Sequence, residues 1–140
     1  MIKVNQKIRY GFRAMIFIAR KNKTISVKKI AESEEIPHAY LEQIIQELKK
    51  AGLVKSQRGS VGGFSLAKPA DQISLGDIVN ALENNICLVD CLSGCQECCD
   101  LESNCLAKKG WQEIQQSLIN SLSKINLKKL LNQRSIILND

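Results

Sequence analysis

The sequence is poor in the residues on which several function classes depend. Its 140 residues hold one histidine, one tryptophan and two prolines, and aromatic side chains make up only 4% of the chain. No phosphate-binding glycine loop, carboxylate pair or Cys/His dyad is visible, so no enzymatic function is expected. No apolar run approaches the roughly 18 residues of a membrane span, and the amino terminus lacks a secretory-signal pattern. We therefore expect a non-enzymatic, cytoplasmic protein without a membrane segment.

Positive charge is concentrated in the first half of the chain. Residues 1–70 contain 14 Lys and Arg against 5 Asp and Glu, a net charge of +9, whereas residues 71–140 contain 6 against 9, a net charge of −3. A basic region binds a polyanion favourably because neutralised phosphates release their counterions. The division favours a nucleic-acid partner for the first half, and a merely solvated basic surface is the alternative.

Three helices are predicted in the first half. Apolar residues recur with helical spacing over residues 5–21, which predicts the first helix. Ser26 is placed to cap a short second helix, and Pro37 suits the first turn of a third helix that ends before Gly52. The third helix has one apolar and one polar face. Two short helices joined by a tight turn are typical of a helix-turn-helix, whose second helix enters the major groove of DNA.

Two short strands are predicted directly after the third helix. They cover residues 53–57 and 64–67, and the glycine-rich loop between them can form a hairpin. A hairpin in this position is a wing. Arg58 at its tip can reach a phosphate or a narrow minor groove, and an ordinary hairpin with a solvated arginine is the alternative. The predicted fold is mainly α with a small β-hairpin, a winged helix-turn-helix head.

The second half begins and ends with helical signals. The segment from Ser74 to Asp77 has the pattern of a capping box that opens a fourth helix. From Trp111 onward, apolar residues alternate at spacings of three and four. They are Ile114, Leu118, Leu122 and Ile125. This pattern predicts a long C-terminal helix that pairs with its copy in a twofold homodimer, and packing back onto the head is the alternative.

A cysteine-rich segment lies between these helices. Six cysteines fall within 19 residues and follow no helical period; they are Cys87, Cys91, Cys95, Cys98, Cys99 and Cys105. A reducing compartment disfavours disulfides, and thiolates are ligands for soft metals and iron–sulfur clusters. The segment predicts an iron–sulfur cluster, with a zinc site, a thiol redox switch and no sensory role as alternatives. The Cys95–Cys98 pair lacks the strand-then-helix context of a thioredoxin-like site.

Together these residues resemble the Rrf2-type transcriptional regulators, a family that includes the iron–sulfur-cluster regulator and nitric-oxide-sensing repressors. The likeness is carried by residues 7–15 (KIRYGFRAM), residues 40–44 (YLEQI) and residues 53–64, which end in the wing string RGSVGGF. With the cysteines, the resemblance covers nearly the whole chain. It implies a division into a DNA-binding head at 1–84, a cluster-binding loop at 85–108 and a dimerisation helix with tail at 109–140.

The resemblance also implies which residues contact DNA. They are Ala39, Tyr40, Glu42 and Gln43 at the start of the third helix and Arg58, Gly59 and Ser60 in the wing. A glutamate can accept a hydrogen bond from cytosine N4, and a glutamine can bind adenine N6 and N7, so both side chains can discriminate bases. The alternative is that they only solvate the helix. A dimer would place two such heads on successive turns of a palindromic double-stranded operator.

The same resemblance implies that Cys91, Cys99 and Cys105 are the cluster ligands. Seven residues separate the first pair and five separate the second, as in some cluster-binding members. Lys108 and Arg9 stand where other members have a histidine or an acidic fourth ligand. Cys87, Cys95 and Cys98 are therefore candidates for that role, and an open or externally supplied fourth site is the alternative. The cluster type, 2Fe–2S or 4Fe–4S, stays open.

The implied function is a DNA-binding regulator that senses iron–sulfur, redox or nitric oxide status. The alternative is a cofactor-free or thiol-based repressor of the same type, controlled by a partner enzyme or by cysteine oxidation.

Overall fold

The protein is described by a computed structural model that covers residues 3–60, 62–94 and 105–137, with side chains as far as residue 133. The elements in chain order are α1 (Gln6–Lys21), α2 (Val27–Glu34), α3 (His38–Lys50), β1 (Val54–Gln57), β2 (Gly63–Leu66), α4 (Leu75–Leu82), α5 (Leu106–Lys124) and α6 (Leu127–Ile137). Short 3-10 turns cover Ala70–Gln72 and Asp90–Leu92. The architecture is mainly helical with one hairpin, as the sequence predicts.

Side-chain caps define where the head helices begin. The Asn5 side chain accepts a hydrogen bond from the backbone N–H of Ile8 at 2.9 Å, and Ser26 accepts one from Lys29 at 3.2 Å. Ser74 and Asp77 form the predicted capping box at the start of α4. These bonds satisfy N–H groups that the first turn of a helix leaves without a partner. The helices of the head are thus positioned by short-range signals in the sequence.

The wing is tied to the segment that precedes α2. β1 and β2 pair in antiparallel fashion with Val54 opposite Leu66. On its other side, Phe64 exchanges two backbone hydrogen bonds with Ile25, at 2.8 and 2.9 Å. A β-carbon added to Gly63 would overlap the carbonyl of Ile25 and lie 2.7 Å from the backbone nitrogen of Ser26. The backbones approach so closely that only glycine fits at position 63.

The hydrophobic core lies among α1, α2, α3 and α4. Its largest fully buried side chains are Met15, Ile18, Ile30, Leu41, Ile44, Ile45, Leu48, Ile73, Ile78 and Leu127. All but the last come from the first 84 residues. No polar or charged residue is buried in the part of the chain that the structure describes. The core therefore depends on apolar packing, with one large contribution from near the C-terminus.

The C-terminal segment differs from the predicted single helix. α5 ends at Lys124, so Ile125 does not extend its apolar seam. Instead, the carbonyl of Ile125 accepts a hydrogen bond from Leu75 at 2.8 Å, and the N–H of Leu127 donates to Ile73 at 3.0 Å. The chain then turns into α6, which packs on α1. The alternative prediction, that the C-terminal segment packs back onto the head, is thus correct for α6. The prediction of a single helix that continues through Ile125 is wrong.

None of the helices in residues 3–60, 62–94 and 105–137 combines the length and the apolar character that crossing a membrane requires.

Candidate nucleic-acid interface and cysteine segment

Helix α3 divides into a buried face and an exposed face. Leu41, Ile44, Ile45 and Leu48 are fully buried. Ala39, Glu42 and Gln43 are exposed. Residues three and four positions apart lie side by side on a helix, so these three form one solvent-facing surface. The structure therefore brings together three of the four α3 residues for which DNA contacts are predicted.

Tyr40 has a different environment from the other predicted contact residues. Its side chain is half-buried, and its ring packs edge-on against Tyr10 of α1, with 5.7 Å between the ring centroids and an interplanar angle of 71°. This geometry is favourable for two aromatic rings. The observed role of Tyr40 is to fix the start of α3 against α1, and its contact with DNA stays a prediction.

His38 is a neighbour of Glu42 on the exposed face of α3. His38 Nδ1 lies 3.7 Å from Glu42 Oε1, one helical turn away, and both side chains are more than half exposed. The separation is too long for a hydrogen bond, but it allows an ion pair when the imidazole is protonated. The spacing of four residues between His38 and Glu42 in the sequence already indicates that the two side chains are neighbours on a helix.

The wing and α3 border the same groove. The lining of this groove includes Ala39, Glu42 and Gln43 from α3, Val27 at the start of α2 and Phe64 from β2. The predicted base-reading residues thus face an open space that one strand of the wing also borders. The exposed face of α3 and one strand of the wing therefore lie on the same side of the head.

The tip of the wing is accessible. Arg58, Gly59 and Ser60 are all exposed. Gly59 has a φ of +122°, and its carbonyl accepts a hydrogen bond from the N–H of Gly62 at 3.0 Å. Only glycine adopts this φ without strain, so Gly59 shapes the turn beside Arg58. The Arg58 side chain is thereby carried on a hydrogen-bonded loop at the edge of the head.

Most of the basic residues that the structure describes in the head have no acidic partner. In this part of the chain, Lys7 pairs with Glu47 and Arg13 pairs with Glu34, and His38 lies near Glu42. Lys28, Lys29, Lys50 and Arg58 are exposed and take part in none of these pairs. Their charge is not neutralised locally and is available to phosphates.

Two of the described cysteines, Cys91 and Cys105, lie in or next to elements that pack together. Cys91 is in the 3-10 turn Asp90–Leu92, Cys105 is the residue that precedes α5, and this turn packs against α5. Both thiols are partly exposed and free of disulfides. Cys87 is exposed, and its thiol donates a hydrogen bond to the Val89 carbonyl at 3.0 Å. Cys95, Cys98 and Cys99 lie outside the described residues.

Cys91 and Cys105 fit the requirements of thiolate ligands. Each is accessible, and Cys105 stands at a helix N-terminus with no side-chain cap hydrogen bond. Among residues 3–60, 62–94 and 105–137, no three His, Cys, Asp or Glu side chains form a metal-binding group. The predicted set of three ligands includes Cys99, which falls outside those ranges.

Helix α5 presents apolar side chains to solvent. Ile114 is 52% exposed and Leu118 is 38% exposed, while Trp111, Gln115 and Ile119 are half-buried. Leu106, at the first position of the helix, is 80% exposed. Ile114 and Leu118 lie four positions apart on the helix and so form an exposed apolar strip.

Comparison with known proteins identifies the family. The chain matches the Rrf2 family, described as iron-dependent transcriptional regulators, over residues 4–133. The chain belongs to the Rrf2 family. One relative is a putative HTH-type transcriptional regulator from Haemophilus influenzae. It is 36% identical to this Rrf2 chain, and the alignment covers 96% of this chain and 90% of the relative.

Two solved Rrf2-type structures share the fold. IscR of T. potens aligns with a TM-score of 0.79 and 33% identity, covering 95% of this chain and 88% of IscR. CymR, the global cysteine regulator of B. subtilis, aligns with a TM-score of 0.80 and 35% identity, covering 95% of this chain and 98% of CymR. These likenesses confirm the predicted family and the winged-helix fold. This Rrf2 protein is a transcriptional regulator and not an enzyme, as the sequence also predicts.

Proposed function

We propose that this Rrf2 protein is a homodimeric regulator that binds a palindromic double-stranded operator and changes its affinity with the state of its cysteine segment. The observation that carries the proposal is the groove shared by α3 and the wing, which Ala39, Glu42 and Gln43 line. It places polar side chains that can read bases beside a hairpin that carries Arg58. The head, residues 1–84, supplies this surface.

Base reading is assigned to α3 and positioning to the wing. Gln43 offers an amide that can bind adenine through two hydrogen bonds, and Glu42 can accept from cytosine. Ala39 is small enough to let the start of α3 approach base edges or a thymine methyl group. Arg58, Gly59 and Ser60 meet the backbone or the minor groove, where they fix orientation without specifying sequence. Tyr40 supports this surface by holding α3 against α1.

Dimer formation is assigned to α5. Its exposed Ile114 and Leu118 lie four positions apart and so share a face of the helix. In a twofold dimer the same surface of each protomer meets its copy, which buries both apolar strips at once. In this arrangement α5, within the predicted dimerisation segment 109–140, joins two heads, and two recognition helices can reach successive major grooves.

The sensing role is assigned to residues 85–108. Cys91, Cys99 and Cys105 would hold an iron–sulfur cluster of the 2Fe–2S or 4Fe–4S type, which supplies a centre that responds to iron supply, redox state and nitric oxide. Support comes from the accessible thiols of Cys91 and Cys105 on two packed elements and from the family description as iron-dependent. Cys105 would present its thiolate at the start of α5, next to the surface assigned to dimer formation.

A thiol-based regulator is the second candidate. Cys87, Cys91 and Cys105 are free, and Cys87 is exposed to solvent. The likeness to CymR supports this candidate, because one of the similar solved structures is that of CymR in an oxidized form. In that case oxidation of accessible thiols, or binding of a partner enzyme, would change the same segment.

Replacing Gln43 with alanine is expected to relax operator specificity. Loss of a bidentate contact to adenine costs about 1–3 kcal/mol of discrimination, which is about 5-fold to 150-fold in relative affinity. A duplex selected by the wild-type chain from a random library and its single-base variants would be titrated by fluorescence anisotropy. Arg58→Ala is the contrasting variant, since it should weaken all duplexes alike and flatten the salt dependence. Unchanged discrimination in Gln43→Ala would remove base reading from this residue.

Replacing Cys91 with alanine is expected to prevent most of the cluster assembly. After anaerobic incubation with ferrous iron and sulfide, the wild-type chain should show visible charge-transfer absorbance and bound iron, and the variant should lose most of both. Cys87→Ala, made in parallel, tests whether this thiol is the fourth ligand. A wild-type chain that gains no absorbance, yet changes its DNA affinity on thiol oxidation, would favour the thiol-based candidate.

A further inference from the structure

Lys7 connects three helices of the head through one ammonium group. Its Nζ lies 2.8 Å from Oε2 of Glu47 on α3 and donates a hydrogen bond to the carbonyl of Leu82 at 2.9 Å. Leu82 is the last residue of α4. The three residues Lys7, Glu47 and Leu82 form what we name the Lys7 bridge. It joins the second half of the recognition helix to the end of α4.

The Lys7 bridge satisfies groups that would otherwise lack partners. The last carbonyls of a helix accept no hydrogen bond from N–H groups of the same helix. A cation placed there also interacts favourably with the helix dipole. The ion pair is partly shielded, since the side chains of Lys7 and Glu47 are 28% and 35% exposed. A single side chain thus meets a helix-end carbonyl and a carboxylate, and a shift of either partner changes the other contact.

A second contact fixes the same two helix ends. Asn5, which caps α1, donates a hydrogen bond from Nδ2 to Oε1 of Glu83 at 2.6 Å. Gly11 of α1 lies so close to Leu82 that a β-carbon there would overlap the leucine side chain. The first half of α1 and the end of α4 are therefore joined by three separate contacts. Cys87 follows Glu83 by four positions, so the cysteine segment continues directly from this junction.

We infer that Lys7 is a positioning residue that couples the cysteine segment to the recognition helix through Leu82 on one side and Glu47 on the other. The inference rests on the proposed function, because it needs both a sensing segment and a DNA-binding helix. A change in the cysteine segment that displaces the end of α4 alters the Leu82 contact. The ammonium group then changes its position relative to Glu47, and α3 is reoriented. The change in DNA affinity that this coupling produces cannot exceed the difference in free energy of these contacts between the two cysteine states.

The test compares how strongly the cysteine state changes DNA affinity in wild-type and variant chains. The probe is a duplex selected from a random library by the wild-type protein. The two states are the fully reduced chain and the same chain incubated anaerobically with ferrous iron and sulfide, and N-ethylmaleimide alkylation serves as a second modification. Lys7→Met removes the ammonium group and keeps most of the stem. For each chain, the dissociation constant of the weaker-binding state is divided by that of the tighter-binding state. We expect this ratio to be about twofold to thirtyfold smaller in Lys7→Met than in the wild type, and so to approach one.

The matched control is Lys21→Met, which removes the same charge from the exposed, opposite end of α1. It should keep the wild-type ratio. The charge swap Lys7→Glu with Glu47→Lys restores an ion pair between α1 and α3, but a carboxylate at position 7 cannot donate to the Leu82 carbonyl. The swap should therefore leave the ratio close to one. Circular dichroism and thermal melts confirm that each variant is folded.

Two results would overturn the inference while leaving the proposed function intact. One is a Lys7→Met chain whose ratio equals that of the wild type, and the other is a charge swap that fully restores it. A wild-type ratio of one with both modifications would overturn the inference together with the sensing role. Sequence-selective DNA binding in the same titration would then still support the recognition role of α3.

Discussion

Replacing Leu127 with alanine lowers the free energy of unfolding by about 2–5 kcal/mol, the range for a large aliphatic side chain removed from a core. The Leu127 side chain is 0% exposed and belongs to the same apolar cluster as Ile73 and Ile78. Its removal leaves a cavity in the centre of the head, because the flanking backbone hydrogen bond to Ile73 holds residue 127 in place. Urea unfolding at a fixed protein concentration, followed by circular dichroism, measures the loss.

Leu106→Ala provides the matched control for this prediction. It is the same substitution in the same half of the chain, but the Leu106 side chain is 80% exposed. Its effect should stay within about 0.5 kcal/mol of the wild type. Equal stabilities for the two variants would show that α6 does not pack into the head in solution.

Replacing Gly63 with alanine is the second prediction with a large effect. The added β-carbon would overlap the backbone of Ile25, and φ at position 63 is +156°. Neither obstacle is relieved by rotating a side chain, since the atoms met are backbone atoms. We expect a loss of about 3 kcal/mol in the free energy of unfolding, from overpacking and backbone strain together. The two hydrogen bonds between Ile25 and Phe64 would be disturbed, so the wing would lose its attachment to the head.

Gly110→Ala is the matched control. It tests whether the loss of stability is specific to position 63 or follows from any replacement of glycine by alanine. Gly110 lies within α5, and an added β-carbon would meet no atom within 4 Å. Alanine there should stabilise the protein by about 0.5–1 kcal/mol, because glycine is costly inside a helix. The two variants should therefore shift the urea midpoint in opposite directions. A destabilised Gly110→Ala, or a neutral Gly63→Ala, would contradict the described backbone geometry.

The parts of the fold that could be predicted are those set by neighbours in sequence. The Ser26 cap, the capping box at Ser74 and the left-handed Gly52, with a φ of +77°, all occur where short-range patterns place them. The apolar stripe of α3 is buried as its period indicates. Such features depend on groups within about one helical turn, so the sequence contains the information directly.

The parts that could not be predicted depend on residues far apart in sequence. Ile125 continues the spacing of the α5 seam, yet the helix stops before it because its carbonyl bonds to Leu75, fifty positions earlier. The Lys7 bridge joins residues that are 40 and 75 positions apart, and no periodicity signals it. At the candidate site, the exposure of Glu42 and Gln43 followed from the apolar period, whereas the packing of Tyr40 on Tyr10 required the arrangement of α1 and α3.

The way α6 returns to the head determines how pairing of the two protomers can be studied. A protein shortened before residue 125 would uncover the interior that Leu127 fills, and exposed apolar surface of that kind promotes aggregation. Loss of operator binding in such a truncation would report unfolding and would reveal nothing about subunit association. Polar substitutions at Ile114 or Leu118, which are already exposed to solvent, leave the interior filled. They allow the contribution of subunit association to be measured in a head that remains folded.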